Sequence, residues 1–127
     1  TATRPLRAIV IEDDDDVREL TADLLASHGH QVMTASSGKQ GLELLCAYGA
    51  DVALIDLGLP DIDGCEVARR FREVCPTSRT RLIATTGYSH EEDRVRATQA
   101  GFDVHLAKPM RLATLLAAIS PRPGIDP

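Results

Sequence analysis

Tryptophan is absent, and two Tyr and two Phe are the only aromatic side chains among 127 residues. Any core must therefore be built from aliphatic chains. No apolar run approaches the roughly 18 residues that a membrane-spanning helix needs, and no leader-like segment is visible at the start. A soluble, cytoplasmic protein is expected. Basic residues number 14 against 19 acidic ones, for a net charge of −5. Lys and Arg cluster no further than pairs such as Arg69-Arg70, which argues against a nucleic-acid surface. Cys46, Cys65 and Cys75 show no C-x-x-C spacing, so reduced thiols are expected rather than a disulfide framework or zinc site. His28 and His30 flank Gly29 without neighbouring Cys or His partners, which argues against zinc there as well.

What is present is alternation. Strand-like and helix-like segments follow one another five times. Arg7 to Ile11 reads as an apolar strand, and Asp14 to about His28 as a helix carrying Val17, Leu20 and Leu24 on one face. Gln31 to Thr34 is a short strand. Ser37 to Tyr48 is a helix with Leu42 and Leu45 inward and Gly49 as its stop. Val52 to Ile55 is the third strand, and a helix from about Gly64 to Val74 follows with Val67, Phe71 and Val74 at i, i+4, i+7. Arg81 to Thr85 is the fourth strand. Ser89 to Ala100 is the fourth helix, capped by Ser89 and ended at Gly101. Phe102 to Leu106 is the fifth strand, and Arg111 to Ile119 the last helix, turning Leu112, Leu115, Leu116 and Ile119 to the core.

Such alternation implies a parallel sheet with helices on both faces and right-handed crossovers. The expected strand order, adopted from known doubly wound sheets rather than derived, is 2-1-3-4-5. It places the ligand crevice between the strands ending at Ile11 and Ile55. Residues 6–119 are expected to form one domain, after an extension over 1–5. The Pro- and Gly-containing stretch 120–127 reads as a linker or disordered tail. The piece is expected to be a domain of a longer protein.

The segment Asp51-Val52-Ala53-Leu54-Ile55-Asp56-Leu57-Gly58-Leu59-Pro60-Asp61-Ile62-Asp63-Gly64 carries the most information. Its apolar run ends on one carboxylate, Asp56, followed at once by a turn. Other strand ends bring polar groups to the same side. The first contributes Glu12 and Asp13, the fourth Thr85-Thr86-Gly87, and the fifth leads into Lys108-Pro109. Carboxylates crowded into one cleft repel unless a cation or a raised pKa resolves the repulsion. An all-oxygen donor set suits a hard divalent ion, most naturally Mg²⁺. The simplest chemistry for such a site is phosphoryl transfer to Asp56, with Lys108 neutralising phosphoryl charge and Thr86 supplying a hydrogen bond. Asp15 and Asp16 read instead as a solvated helix N-terminus.

On Ile9-Val10-Ile11-Glu12-Asp13-Asp14, Leu54 through Gly64, Ala84-Thr85-Thr86-Gly87, and Ala100-Gly101-Phe102-Asp103 through Lys108-Pro109, the chain resembles a receiver domain of two-component response regulators. The resemblance spans about residues 6 to 119. It implies a flavodoxin-like (βα)5 three-layer α/β sandwich. It also implies that Asp56 receives a phosphoryl group from a histidine kinase or histidine phosphotransfer protein, as part of a phosphorelay. Mg²⁺ would be bound by Asp13, Asp56 and the Gly58 carbonyl, with Glu12 acting indirectly. Lys108 would pair with the phosphoryl group, Thr86 would move inward to it, and the Lys108-Pro109 peptide would be cis. Such a domain is a phosphoacceptor switch rather than a turnover enzyme. Its motifs are similar to receivers fused to hybrid sensor histidine kinases or to chemotaxis-type multidomain enzymes, with a stand-alone or DNA-binding regulator as the alternative parent.

Some positions depart from the family pattern. The aromatic switch position of the fifth strand is His105, whose orientation could depend on pH. Gly58 and Tyr88 stand where side chains flank the hydrolytic water, which implies slow self-dephosphorylation. Arg94 and Arg96 lie on a fourth helix with a poor apolar stripe, as suits either a solvated face or an element that shifts cheaply. A phosphatase of the haloacid dehalogenase type would want a second Asp where Gly58 stands. A flavodoxin-like cofactor module would not place Glu12-Asp13-Asp14 against a phosphate. A receiver-shaped module that is not phosphorylated would lack Asp56 or Lys108.

Overall fold

Every residue of Val52–Asp56 is buried, because this strand is the middle of the sheet and is covered on both faces. The computed structural model describes residues 4–87 and 90–120. The elements run β1 (Arg7–Ile11), α1 (Asp15–Ser27), β2 (Gln31–Ala35), α2 (Gly38–Tyr48), β3 (Val52–Asp56), α3 (Gly64–Val74), β4 (Arg81–Thr86), α4 (Glu91–Ala100), β5 (Val104–Ala107) and α5 (Leu112–Ile119). Among the described residues the strands form one sheet of order β2-β1-β3-β4-β5, and each neighbouring pair is parallel. The expected order and α/β class hold.

Alternation along the strands sorts the core into two layers. Ile9, Ile11, Ala53, Ile55, Leu82 and Ala84 pack with Leu45, Val67, Phe71 and Ala97, under α2, α3 and α4. Ala8, Val10, Val52, Leu54 and Ile83 pack with Leu25, Leu115 and Ile119, under α1 and α5. Local chemistry starts the first three helices. Asp14, Ser37 and Asp63 each accept a backbone N–H from the third helical residue, at 3.1, 3.1 and 3.0 Å. Gly49 and Gly101 close α2 and α4 in the left-handed region, as their positions predicted.

Several expected faces are corrected. On α1, Leu20 is 61% exposed, while Thr21 and Leu25 point inward. Thr21 tolerates burial because its hydroxyl donates to the Val17 carbonyl at 2.7 Å. On α3 the stripe continues from Phe71 to Cys75, one turn on and packed against the core, which leaves Val74 67% exposed. Leu112, in the first turn of α5, stays 37% exposed, while Leu115 and Ile119 fill the layer. The fourth helix begins at Glu91, with His90 at the cap position and no side-chain cap bond. Ser89, the expected cap, and Tyr88 lie outside the described residues, as do 121–127 of the expected tail. The fifth strand runs two residues later than its start at Phe102 implied. Phe102 is instead a buried core residue ahead of it.

Candidate functional site

The C-terminal ends of β1, β3, β4 and β5 meet at one edge of the sheet, and the backbone fixes what each presents. Glu12 follows β1 directly. Its N–H donates to the Ala35 carbonyl at 3.0 Å, so the residue still pairs with β2 while its side chain turns into the crevice. The Glu12 side chain is 4% exposed. Its Oε2 accepts the Asp14 N–H at 3.2 Å, and its carbonyl accepts from the half-buried Arg18 guanidinium at 3.0 Å. Asp13, between them, is exposed.

Asp56 closes β3 and is 7% exposed. The chain then reverses sharply. Leu57 N–H donates to the Thr85 carbonyl at 2.9 Å, and Gly64 N–H to the Leu57 carbonyl at 3.1 Å. Gly64 is required by this close approach, because a Cβ there would lie 2.5 Å from the Asp56 carbonyl oxygen and 2.8 Å from Leu57 Cα. The exposed Gly58 donates its N–H to Asp56 Oδ1 at 3.3 Å.

Lys108 arrives from beyond β5. Its N–H donates to the Thr86 carbonyl at 2.8 Å, and the Lys108-Pro109 peptide is cis, as the resemblance implied. The ammonium stands 2.5 Å from Glu12 Oε1 and 3.3 Å from Asp56 Oδ1. Burial opposes this charge, yet the Glu12 hydrogen bond and the charge of Asp56 outweigh it and raise the Lys108 pKa. Burial likewise raises the Glu12 pKa; Lys108 and the Asp14 N–H offset part of that, and Asp56 adds to it.

Glu12, Asp13 and Asp56 each bring a ligand atom within 4.8 Å of the others. Three carboxylates against one ammonium leave two negative charges in a crevice that resists charge. That surplus and the oxygen-only donor set fit a hard divalent cation. Thr86 is buried at the end of β4. On β5, His105 is the register partner of Ala84, so Thr86, two residues along, faces the same side of the sheet as His105. The His105 Nε2 is buried without a hydrogen-bond partner among the described residues. Burial, then the charge of Arg94, lower its pKa against the opposing pull of Asp93.

The sequence-expected residues Glu12, Asp13, Asp56, Gly58 and Lys108 thus come together. Arg18 was not anticipated. Its only sequence signal is helical spacing from Asp14 and Asp15, and it clamps the Glu12 backbone while pairing with Asp15 at 2.5 Å. Asp61 was also missed. It accepts the Gly38 and Lys39 N–H groups at 2.8 and 2.9 Å, tying the loop after β3 to the start of α2. His30 is buried and its Nδ1 accepts the Leu6 N–H at 3.0 Å, while His28 Nδ1 lies 2.9 Å from the Leu24 carbonyl oxygen.

A family model described as "Response regulator receiver domain" matches residues 8–120. The chain is 38% identical over 111 residues to the transcriptional regulatory protein AfsQ1 of Streptomyces coelicolor, covering 87% of this chain and 48% of that protein. It thus spans about half the length of that relative. A CheY-like response regulator receiver domain protein of Methanospirillum hungatei superposes with a TM-score of 0.84 at 28% identity, over 91% of each chain. A Burkholderia pseudomallei response regulator, solved with a phosphorylated aspartic acid, calcium ion and citrate, gives 0.82 at 27% identity, over 90% of this chain and 66% of that one.

Proposed function

The chain belongs to the response regulator receiver domain family, and from that membership we propose that it is the phosphoacceptor switch of a two-component phosphorelay, with Asp56 as acceptor. The observation that carries this reading is the Lys108 ammonium set between Glu12 and Asp56. The donor is a phosphohistidine on a histidine kinase or histidine phosphotransfer protein, for which a small acyl phosphate can substitute. An Asp56 oxygen attacks phosphorus, the P–N bond breaks, and its electron pair returns to the imidazole. Gly58 N–H holds the carboxylate in place, Lys108 neutralises phosphoryl oxygen charge, and the Thr86 hydroxyl donates to one of those oxygens. Asp13, Asp56 and the Gly58 carbonyl would hold Mg²⁺, with Glu12 in its outer sphere. When bound, the ion supplies charge neutralisation for the transferring group.

Movement of Thr86 toward the phosphoryl group frees space on the face it shares with His105. That biases β5 and the weakly amphipathic α4 between two packings, and so changes the surface offered to a partner. The domain is consumed by the transfer rather than turning over as an enzyme. With Gly58 offering no side chain, an Asp–Asp phosphatase lacks its acid/base, and self-dephosphorylation is slow. A half-life of seconds without a partner would contradict this. No described helix is long and apolar enough to cross a membrane, and we place the domain in the cytoplasm with its phosphohistidine donors. Its parent is a hybrid histidine kinase or a regulator with a separate output domain.

The test is intact mass after incubation with Mg²⁺ and acetyl phosphate. Wild type is expected to gain about 80 Da, and Asp56→Ala nothing. A gain in both proteins moves the acceptor elsewhere. No gain, even from a phosphohistidine donor, makes the chain a receiver-shaped interaction module.

A further inference from the structure

Two of the three thiols, remote in sequence, are brought level by helix packing. α2 and α3 each connect one parallel strand to the next on the same face of the sheet, so they run in the same direction. Their first turns touch, since a Cβ on Gly38 would sit 3.1 Å from Val67 Cγ2. Eight residues on from each stand Cys46, in α2, and Cys75, the residue that caps α3. An equal advance of about 12 Å along parallel axes keeps the two abreast. Cys46 is exposed and Cys75 half-buried, so both are open to a small oxidant, whereas Cys65 is 2% exposed.

We propose that Cys46 and Cys75 are a modification site: a reversible disulfide that staples the last turn of α2 to the end of α3, with hydrogen peroxide as oxidant. The Cys46 thiolate attacks one peroxide oxygen, the O–O bond breaks, and a sulfenic acid forms as hydroxide leaves. The Cys75 thiolate then attacks that sulfur, the S–S bond forms, and a second hydroxide leaves. Two thiols are oxidised, and the peroxide, with their two protons, becomes two waters. The closed loop encloses β3, Asp56 and the turn after it.

Burial, then the neighbouring Cys75 thiol, raise the Cys46 pKa. The thiolate is therefore scarce at neutral pH, and the reaction is slow there and faster as pH rises. The pairing is independent of phosphoryl transfer and needs no metal.

The experiment is intact mass and a non-reducing peptide map of the full chain after peroxide at pH 8.5. A monomer lighter by about 2 Da, with one cross-linked peptide joining Cys46 to Cys75 and reversal by dithiothreitol, is expected. Cys46→Ser and Cys75→Ser should each abolish the loss, and Cys65→Ser should keep it. The map on wild type decides the pairing even if Cys65→Ser does not fold. A link involving Cys65, covalent dimers without the intramolecular bond, or only sulfinic and sulfonic products would overturn the proposal.

Discussion

Lys108 lies 96 positions from Glu12 in the chain and sets its ammonium 2.5 Å from Glu12 Oε1. A buried carboxylate and a half-buried amine thus neutralise each other at the sheet edge, with Asp56 Oδ1 as a second, looser partner at 3.3 Å. A divalent ion bound there would compete with this ammonium for the same negative charge, so removing the lysine should have two opposed effects.

Lys108→Ala leaves the buried Glu12 carboxylate without its main partner and should cost about 1–3 kcal/mol in the absence of metal. The same change should tighten Mg²⁺ binding, because the cluster loses its internal cation. Urea unfolding with and without Mg²⁺, together with calorimetric titration, checks both. Weaker Mg²⁺ binding in the variant would contradict the competition.

Gly64 and Gly58 flank the same turn but should respond differently to alanine. A Cβ on Gly64 meets the Asp56 carbonyl at 2.5 Å, while one on Gly58 meets the Asp56 carboxylate oxygens at 3.9 Å, ordinary contact. Gly64→Ala is expected to lose about 1–3 kcal/mol and to displace Asp56. Gly58→Ala should fold as wild type does. Denaturation midpoints and the acetyl phosphate mass gain, read side by side, test the contrast.

His30 and His105 have pKa values lowered mainly by burial. For a group depressed in the folded state, its stabilisation is complete above the ordinary value of 6.5. It is lost as pH falls through the depressed one. Thermal midpoints should therefore drop between pH 7.5 and pH 5. The drop should shrink in His105→Phe, and in His30→Gln through loss of the titrating ring. Unchanged pH dependence in both variants would remove these two histidines as its source.

Asp61 is held down to about 2, from an ordinary 3.8, by the Gly38 and Lys39 N–H groups first and Ile62 next. Its contribution is present above 3.8 and lost as pH falls through about 2. Asp61→Ala should melt earlier than wild type at pH 7, and the gap should narrow as pH falls from about 4 to 2. A gap of the same size at pH 7 and pH 2 would assign the effect to something other than this carboxylate.

Much of this molecule is legible in the order of its residues. Apolar runs bounded by turn formers mark the strands, and helical spacing or capping residues mark the helices, because each element carries its own local signal. Asp56 stands out because a wholly apolar run stops on its charge, whereas Lys108 gains meaning only beside the polar groups at the other strand ends. The helix faces were less legible. Leu20, Val74 and Leu112 fit an inward stripe as well as Thr21, Cys75 and Leu115 do, and the angle at which each helix crosses the sheet chooses between them. Only tertiary structure decided that Arg18 reaches the Glu12 carbonyl, that Asp61 caps a helix 22 and 23 residues away, and that Cys46 and Cys75 stand abreast. Those relationships join segments with no common local period. Periodicity reports which way a side chain faces along its own element, and only the packing of elements reports what it meets.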